Sequence, residues 1–436
     1  MRRYGVFVFL VLLSLTSNSW AQGLMTPGIG PANRAMGGAG VAAPIESIGA
    51  IFWNPASITA LKSNEFSLGG EIPLIDMHVK SGVNAGAFGP GTPGTDLQGD
   101  TRANTGVFPL ASLAAVYHPE FDPNLTLGTG MFAAGGLFSN YKGDASNPIL
   151  SPQPPSGFGS SNTFSLFSLL QIVPTAAYQV TERLSVGFSP VLTMAILQSS
   201  PSGLSAPDDA NGDGFKTYPS ADGTHPNYAL GFQIGLFYDM DDFQFGFNYK
   251  SRSWFQTFKI NGHDELGFGR ELRAQIDVPE SYLFGVAYKG FENWLFAADI
   301  RYVNNDSVSV FGKSGFNADG SLKGLGWRSV AAVALGAAYN ATENVTVRAG
   351  FYGGQSPIAD SQAAFNVGAP VYYNYLYSCG VSYKFTQAIT FHTSYYHAPE
   401  ATVRGPFQTP SGPVAGTFVE NRVSSNSLLV GAQVKF

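Results

Sequence analysis

The sequence is poor in the residues on which most soluble or disulfide-stapled scaffolds depend. It holds one cysteine, Cys379, so no disulfide can form within the chain and a cystine framework is excluded. Charged residues make up 12% of it, against about 25% in an ordinary soluble domain. The formal charge is −6 with no basic block, which argues against a nucleic-acid partner. Long apolar runs are missing too: beyond the N-terminal leader nothing approaches the roughly 20 residues of a spanning helix. No zinc-type cluster, phosphate loop or dinucleotide fingerprint stands out, so no cofactor is expected and the chain does not read as an enzyme.

The leader itself is legible. Arg2 and Arg3 precede an apolar stretch from Val6 to Leu15, and Ser19-Trp20-Ala21 offers a small-x-small cleavage site. Residues 1–21 are therefore expected to be a signal peptide, with Gln22 the mature N-terminus. Loss of Arg2 and Arg3 would move the formal charge from −6 to −8.

The chain is rich in glycine, with 52, and in aromatic residues, at 14%. Segments alternate with period 2: Phe243, Phe245, Phe247 and Tyr249 against Gln244, Gly246, Asn248 and Lys250. Fourteen candidate strands fall near 64–75, 106–118, 124–134, 168–180, 183–197, 227–239, 242–258, 271–288, 293–311, 328–339, 344–353, 371–384, 387–398 and 423–436. Short polar turns follow Tyr117, Tyr178, Tyr238, Tyr288, Tyr339 and Tyr383. Most of the other connections are long and rich in Gly, Pro, Asn and Ser. Low charge, alternation, and short turns opposite long loops fit a transmembrane antiparallel β-barrel with lipid outside and a polar lumen. The six tyrosines would form an aromatic girdle at one membrane boundary. The final strand alternates up to Phe436, in the manner of the terminal signal read by the barrel-assembly machinery.

Residues 22–62 do not alternate. They run Arg34-Ala-Met-Gly37-Gly38-Ala-Gly40 and later Asn54-Pro55-Ala56, glycine-rich and turn-forming, which is poor strand material. These blocks resemble the N-terminal hatch of the FadL/toluene-transporter family. Val278-Pro279-Glu-Ser-Tyr282, Gly326-Trp327-Arg328 and Arg348-Ala-Gly350-Phe-Tyr-Gly-Gly-Gln-Ser-Pro357 follow in that family's order. The resemblance spans nearly the whole mature chain. It implies residues 22–62 as a plug, residues 63–436 as a fourteen-stranded barrel in the Gram-negative outer membrane, and passive uptake of hydrophobic molecules. Expected surroundings are outer-membrane lipid and lipopolysaccharide, with the chain a monomer. The family's lateral exit lies beside a kinked third strand, which here carries Gly128, Gly130, Gly135 and Gly136; glycines mark bulges and bends in strands.

Parity within the strands points Lys250, Arg252, Arg273, Asp299, Arg301, Arg328 and Arg348 into the lumen. A charge facing lipid at mid-depth would cost about 2–4 kcal/mol. One or two of these cations could hold a carboxylate headgroup, ranked Arg348, Arg273, Lys250, then Arg328; the others would build a wall network with Asp299. That tilts the ligand toward a long-chain fatty acid, with aromatic hydrocarbons such as toluene as the alternative and a general porin or purely structural barrel behind them. Asp209, Asn211 and Asp213 copy the opening of a calcium loop but lack its closing Glu, and read better as turn residues. His392 and Ser394 share a face and suggest a nucleophile with its base. Their parity is luminal, where polar lining explains them better than catalysis.

Overall fold

The computed structural model describes residues 24–223, 225–370 and 373–436, so the expected leader and its cleavage site lie outside the described residues. Fourteen antiparallel strands form a closed ring. They are β1 (Glu65–Val83), β2 (Leu110–Tyr117), β3 (Leu125–Tyr141), β4 (Thr163–Gln179), β5 (Leu184–Ser200), β6 (His225–Met240) and β7 (Phe243–Lys250), followed by β8 (Ser281–Tyr288), β9 (Trp294–Val303), β10 (Val330–Asn340), β11 (Val345–Gly354), β12 (Tyr375–Lys384), β13 (Ile389–Gly405) and β14 (Thr417–Lys435). Each pairs with its neighbours in sequence, and β1 pairs with β14 from Glu65↔Lys435 to Val83↔Thr417, closing the ring.

Alternation sets which way each side chain points. On β1, Phe66, Leu68, Ile72 and Leu74 are exposed on the outer face, while Glu65, Ser67 and Glu71 are buried inside. On β14, Leu428, Val430 and Val434 point out, and Ser425, Ser427 and Gln433 point in. Apolar outside and polar inside is the reverse of a soluble barrel, and it suits strands whose outer face meets lipid. Tyr117, Tyr178, Tyr238 and Tyr383 stay exposed at the ends entering the short turns. Tyr288 and Tyr339 are partly covered by Phe291 and Trp294, which belong to the same belt.

Several strands differ from their expected bounds. The stave expected over 106–118 begins at Leu110. Its first residues form no strand, for a reason that concerns the site below. The segment expected as one strand over 271–288 is two pieces. Residues Gly269–Ala274 pair with Phe258–His263 in an external hairpin, and β8 starts only after Pro279, which lacks a ladder donor. At 293–311 the strand stops at Val303 and gives way to helical turns over Asn305–Ser307 and Ser309–Gly312. Outside the ring, the hairpin and neighbouring loops bury Phe258, Ile260, Leu272, Phe311, Trp327 and Ile358 in one apolar cluster over the long-loop end.

Residues 24–62 are nearly all buried. They form α1 (Gly30–Arg34), with Pro31 at its start, then α2 (Ser47–Trp53) and a 3-10 turn over Pro55–Ala60. The Glu46 side chain caps α2 by accepting from the Ile48 and Gly49 amides at 2.8 and 3.0 Å. Asn54-Pro55 ends it. This segment touches β1–β6 and β12–β14, so it lies within the ring. Paired, inward-facing glycines give it room: Gly187↔Gly235, Gly246↔Gly285 and Gly336↔Gly350 are direct cross-strand partners. A Cβ at Gly350 would stand 1.9 Å from the Gly37 amide, and one at Gly235 2.1 Å from Asn54 Oδ1. The wall is bare backbone where the N-terminal segment presses on it.

Candidate functional site

The N-terminal segment is tethered to the wall by charge and amide groups. Arg301 and Asp299, on one face of β9, are at most 1% exposed and form an ion pair at 3.1 Å. Arg301 donates to the carbonyls of Pro27 and Gly38, and its guanidinium stacks 3.5 Å from the Trp53 ring. Asp299 accepts from the Gly40 and Val41 amides. Burying charge is tolerated when it is paired and hydrogen-bonded; of these two side chains only Arg301 Nε lacks a partner among the described residues. Asn54 donates to Val41 O inside the segment and to Leu236 O of β6, both at 2.9 Å, and accepts from the Ala56 amide. Gln233 and Asn248 donate from the wall to the carbonyls of Ile51 and Trp53. Arg34 reaches β1 and grips both oxygens of Glu71, at 3.0 and 2.9 Å.

Lys250 stands apart from this network. Its ammonium lies over the rings of Phe52 (3.8 Å) and Trp53 (5.0 Å). Among the described residues no carboxylate pairs with it. It borders a small cavity of about 30 Å³ shared with Met25, Val173, Phe232, Val278 and Val303.

A second, larger cavity of about 280 Å³ lies on the other side of Met25 and is mostly apolar. It leads to a break in the wall. β3 pairs with β2 only from Leu127 to Phe132, and Ala134 is a bulge against β4 between Ala133 and Gly135. Beyond it, residues 105–109 form no ladder with 133–139. The next contact is the Asn104 amide on Asn140 O, which closes the opening above. Thr105, Gly106, Phe108 and Pro109 form one jamb of this window, and Gly135, Gly136 and Phe138 the other. The Phe108 and Phe138 rings meet at 4.5 Å across it. From inside, the N-terminal segment pairs with the bulged strand: Thr26 N donates to Ala134 O, Gly136 N donates to Leu24 O, and Met25 bridges Gly135. A Cβ at Gly135 would meet Leu24 O at 2.4 Å, so this approach requires glycine. Gly128 and Gly130 lie lower, in the regularly paired part of β3, where Gly128 faces Ile51.

Of the four expected headgroup cations, two face the lumen. Arg348 does, but it donates to Ser382 at the short-turn end. It lines a polar cavity of about 630 Å³ with Pro44, Asp242, Lys289 and Glu292, away from the apolar one. Lys250 sits beside the N-terminal segment as described. Arg273 does not face the lumen: it is exposed on the external hairpin and bonded to Glu271 at 2.7 Å, because the strand that set its parity ends at Ala274. Arg328 is likewise exposed, bonded to Ser356 O, because Trp327 takes the buried position next to it in a loop. Asp209, Asn211 and Asp213 engage one another and nearby amides as turn caps, and no metal-ligand cluster occurs among the described residues. His392 and Ser394 are buried toward the lumen, with His392 bonded to Ser382 at 2.6 Å. Sequence reading missed Glu71, although its luminal parity with Glu65 was readable. It also missed Phe108 and Phe138, whose role depends on a strand that fails to pair.

A closed fourteen-stranded ring with an apolar outer belt, a polar inner face and a chain segment seated within it is an outer-membrane β-barrel of the transport type. The family model described as outer membrane protein transport protein (OMPP1/FadL/TodX) matches residues 12–436, and the chain belongs to that family. Its members are transport channels, and the protein is an outer-membrane transporter of hydrophobic compounds. Among solved structures, the toluene transporter TbuX of Ralstonia pickettii is 20% identical, covering 94% of this chain and 99% of its own, with a TM-score of 0.66. The toluene transporter TodX of P. putida is 18% identical over 94% and 99%, with a TM-score of 0.68. A Pseudomonas aeruginosa FadL homologue is 16% identical over 95% and 100%, with a TM-score of 0.70. At these identities the likeness is one of fold. No curated protein matches the chain.

Proposed function

We propose that the protein takes up long-chain fatty acids passively: the carboxylate rests on Lys250, residues 24–62 serve as the plug, and the ligand leaves through the window beside β3. The observation that carries this reading is a luminal lysine with no counter-ion among the described residues, set over two aromatic rings at a small cavity lined by apolar side chains and by Gln171, Gln233, Ser251, Ser253 and Ser281. An ammonium in such surroundings costs free energy unless an anion joins it, and an arriving carboxylate would supply the missing partner. The wall charges with partners, Arg301 and Asp299, belong instead to the seat of the plug. Arg348, at the short-turn end, borders polar rather than apolar space.

A second reading, transport of monoaromatic hydrocarbons, draws on the mostly apolar cavity and on the ring cluster of Phe52, Trp53 and Phe132. The two separate on Lys250→Gln. A charge-assisted hydrogen bond contributes about 1.5–3 kcal/mol, so hexadecanoate affinity should fall about 10- to 150-fold while toluene affinity holds. Equal effects on both ligands, or none on either, would remove Lys250 from headgroup recognition and favour the hydrocarbon reading.

A further inference from the structure

We propose that the outer wall beside the window carries a docking patch for a phosphorylated glycolipid of the outer leaflet, built from Lys80, Arg102, Arg404 and Arg422. On β1 the outward positions run Ile72, Leu74, Asp76, His78 and Lys80, so the apolar belt turns charged within one strand. His78 stands about 13 Å along β1 from Leu74, at about 3.3 Å per residue. It lies toward the long loops, which face outward from the cell. The ladder then sets its neighbours. Arg422 of β14 and Arg102 of the short strand Leu97–Arg102 lie directly opposite His78, one on either side. One outward position higher, Glu420 and Asp100 flank Lys80, and Arg404 of β13 lies opposite Glu420. Two adjacent rows of one outer face therefore hold four permanent cations.

The carboxylates among them orient the cations without using them up. Arg102 bonds Asp76 through Nε at 2.7 Å, Arg404 bonds Glu420 at 3.1 Å, and Arg422 bonds Asp100. Lys80 forms no ion pair among the described residues. The Arg102 side chain is 67% exposed and that of Arg404 54%, so donors stay open to an approaching group. A guanidinium has five donors and takes phosphate along a two-donor edge. Exposed ion pairs contribute little, so a phosphate can share or displace these carboxylates. Four cations against Asp76, Asp100 and Glu420 leave the patch positive in a chain of formal charge −6. Arg404 also packs 4.0 Å from the Phe418 ring, which fixes the upper edge. Below the rows, Ile72, Leu74 and Leu428 are exposed and offer a surface to acyl chains. Cations set directly over an apolar wall suit a lipid with phosphate on its headgroup better than a soluble anion. Arg102 comes three residues before Thr105 of the window jamb, so the docked lipid would border the window.

The test measures binding of bisphosphorylated lipid A, and of lipid A stripped of its phosphates, to the purified full-length protein by native mass spectrometry with a chelator present. A cation near an anionic lipid surface contributes about fivefold in affinity. Arg102→Gln with Arg422→Gln should therefore weaken the bisphosphorylated lipid about 25-fold and leave the stripped one unchanged. Lys216→Gln with Lys259→Gln, at two exposed positions elsewhere on the long-loop end, should change neither. Both arginines face outward, so the barrel should assemble without them. Should it fail, Lys80→Gln alone breaks no ion pair and should weaken the bisphosphorylated lipid about fivefold. Equal binding of the two lipids by the unaltered protein would overturn phosphate recognition. Equal losses in the arginine and lysine pairs would assign the effect to overall charge and overturn the patch. Binding that appears only with added magnesium would place the contact on the carboxylates and overturn it too.

Discussion

Asp299 and Arg301 lie two residues apart on β9, so alternation points both into the lumen, and each then bonds the N-terminal segment rather than a neighbouring stave. Parity read from sequence was enough to place them, and Lys250 and Arg348 with them. It could not say which would find partners, because those partners are backbone groups of a segment with no period of its own. Parity failed at Arg273 and Arg328, which lie in external structure beyond the ends of the staves. Removing one member of a buried pair costs about 3–5 kcal/mol. Arg301→Met should therefore lower the unfolding temperature of the purified barrel and expose Gly38 to limited proteolysis. An unchanged unfolding profile would contradict its role as a tether. Glu46 adds a pH dependence. Burial pushes its carboxyl up to about 7, with the Glu65 carboxylate acting in the same sense and its own caps to Ile48 and Gly49 opposing. The seated plug then binds a proton that the released segment does not, between the ordinary carboxylate range and about pH 7. Plug stability should fall as pH rises through that window. Glu46→Gln should flatten this slope, read as protease resistance of residues 24–62 from pH 5 to 8; an unchanged slope would place the titration elsewhere.

At the scale of elements, the strands followed from periodicity because lipid and lumen impose opposite demands on successive residues. The glycines of β3 marked a bend in the sequence, and the bulge stands at Ala134, against Gly135. What alternation could not show is that residues 105–109 leave the upper part of β3 without a partner on that side, since an unpaired strand alternates like a paired one. The paired glycines of the inner wall were equally hidden. In a chain with 52 glycines, only the register reveals that Gly336 and Gly350 face each other under the N-terminal segment. Gly350→Val would drive a side chain into the Gly37 amide. The plug should lose its seat while the ring still closes, and cells carrying the variant should admit small polar antibiotics that the unaltered protein excludes. Retained exclusion would mean that the plug tolerates displacement, or that it does not block the lumen.

At the scale of the whole molecule, the interior is divided between a charged seat for the N-terminal segment, a lysine with no counter-ion among the described residues, and a mostly apolar cavity ending in a side window. A water-filled porin has use for none of the last three features together. On the proposed route, ligand leaves through the wall between Phe108 and Phe138, and not along the barrel axis. The most direct measurement joins Phe108→Cys to Phe138→Cys with a short bismaleimide, in a Cys379→Ser background, and follows uptake of labelled hexadecanoate. Joining the two jambs should abolish uptake while leaving binding at Lys250 intact, and either cysteine alone, treated the same way, should transport normally. Full uptake through a cross-linked window would contradict the account.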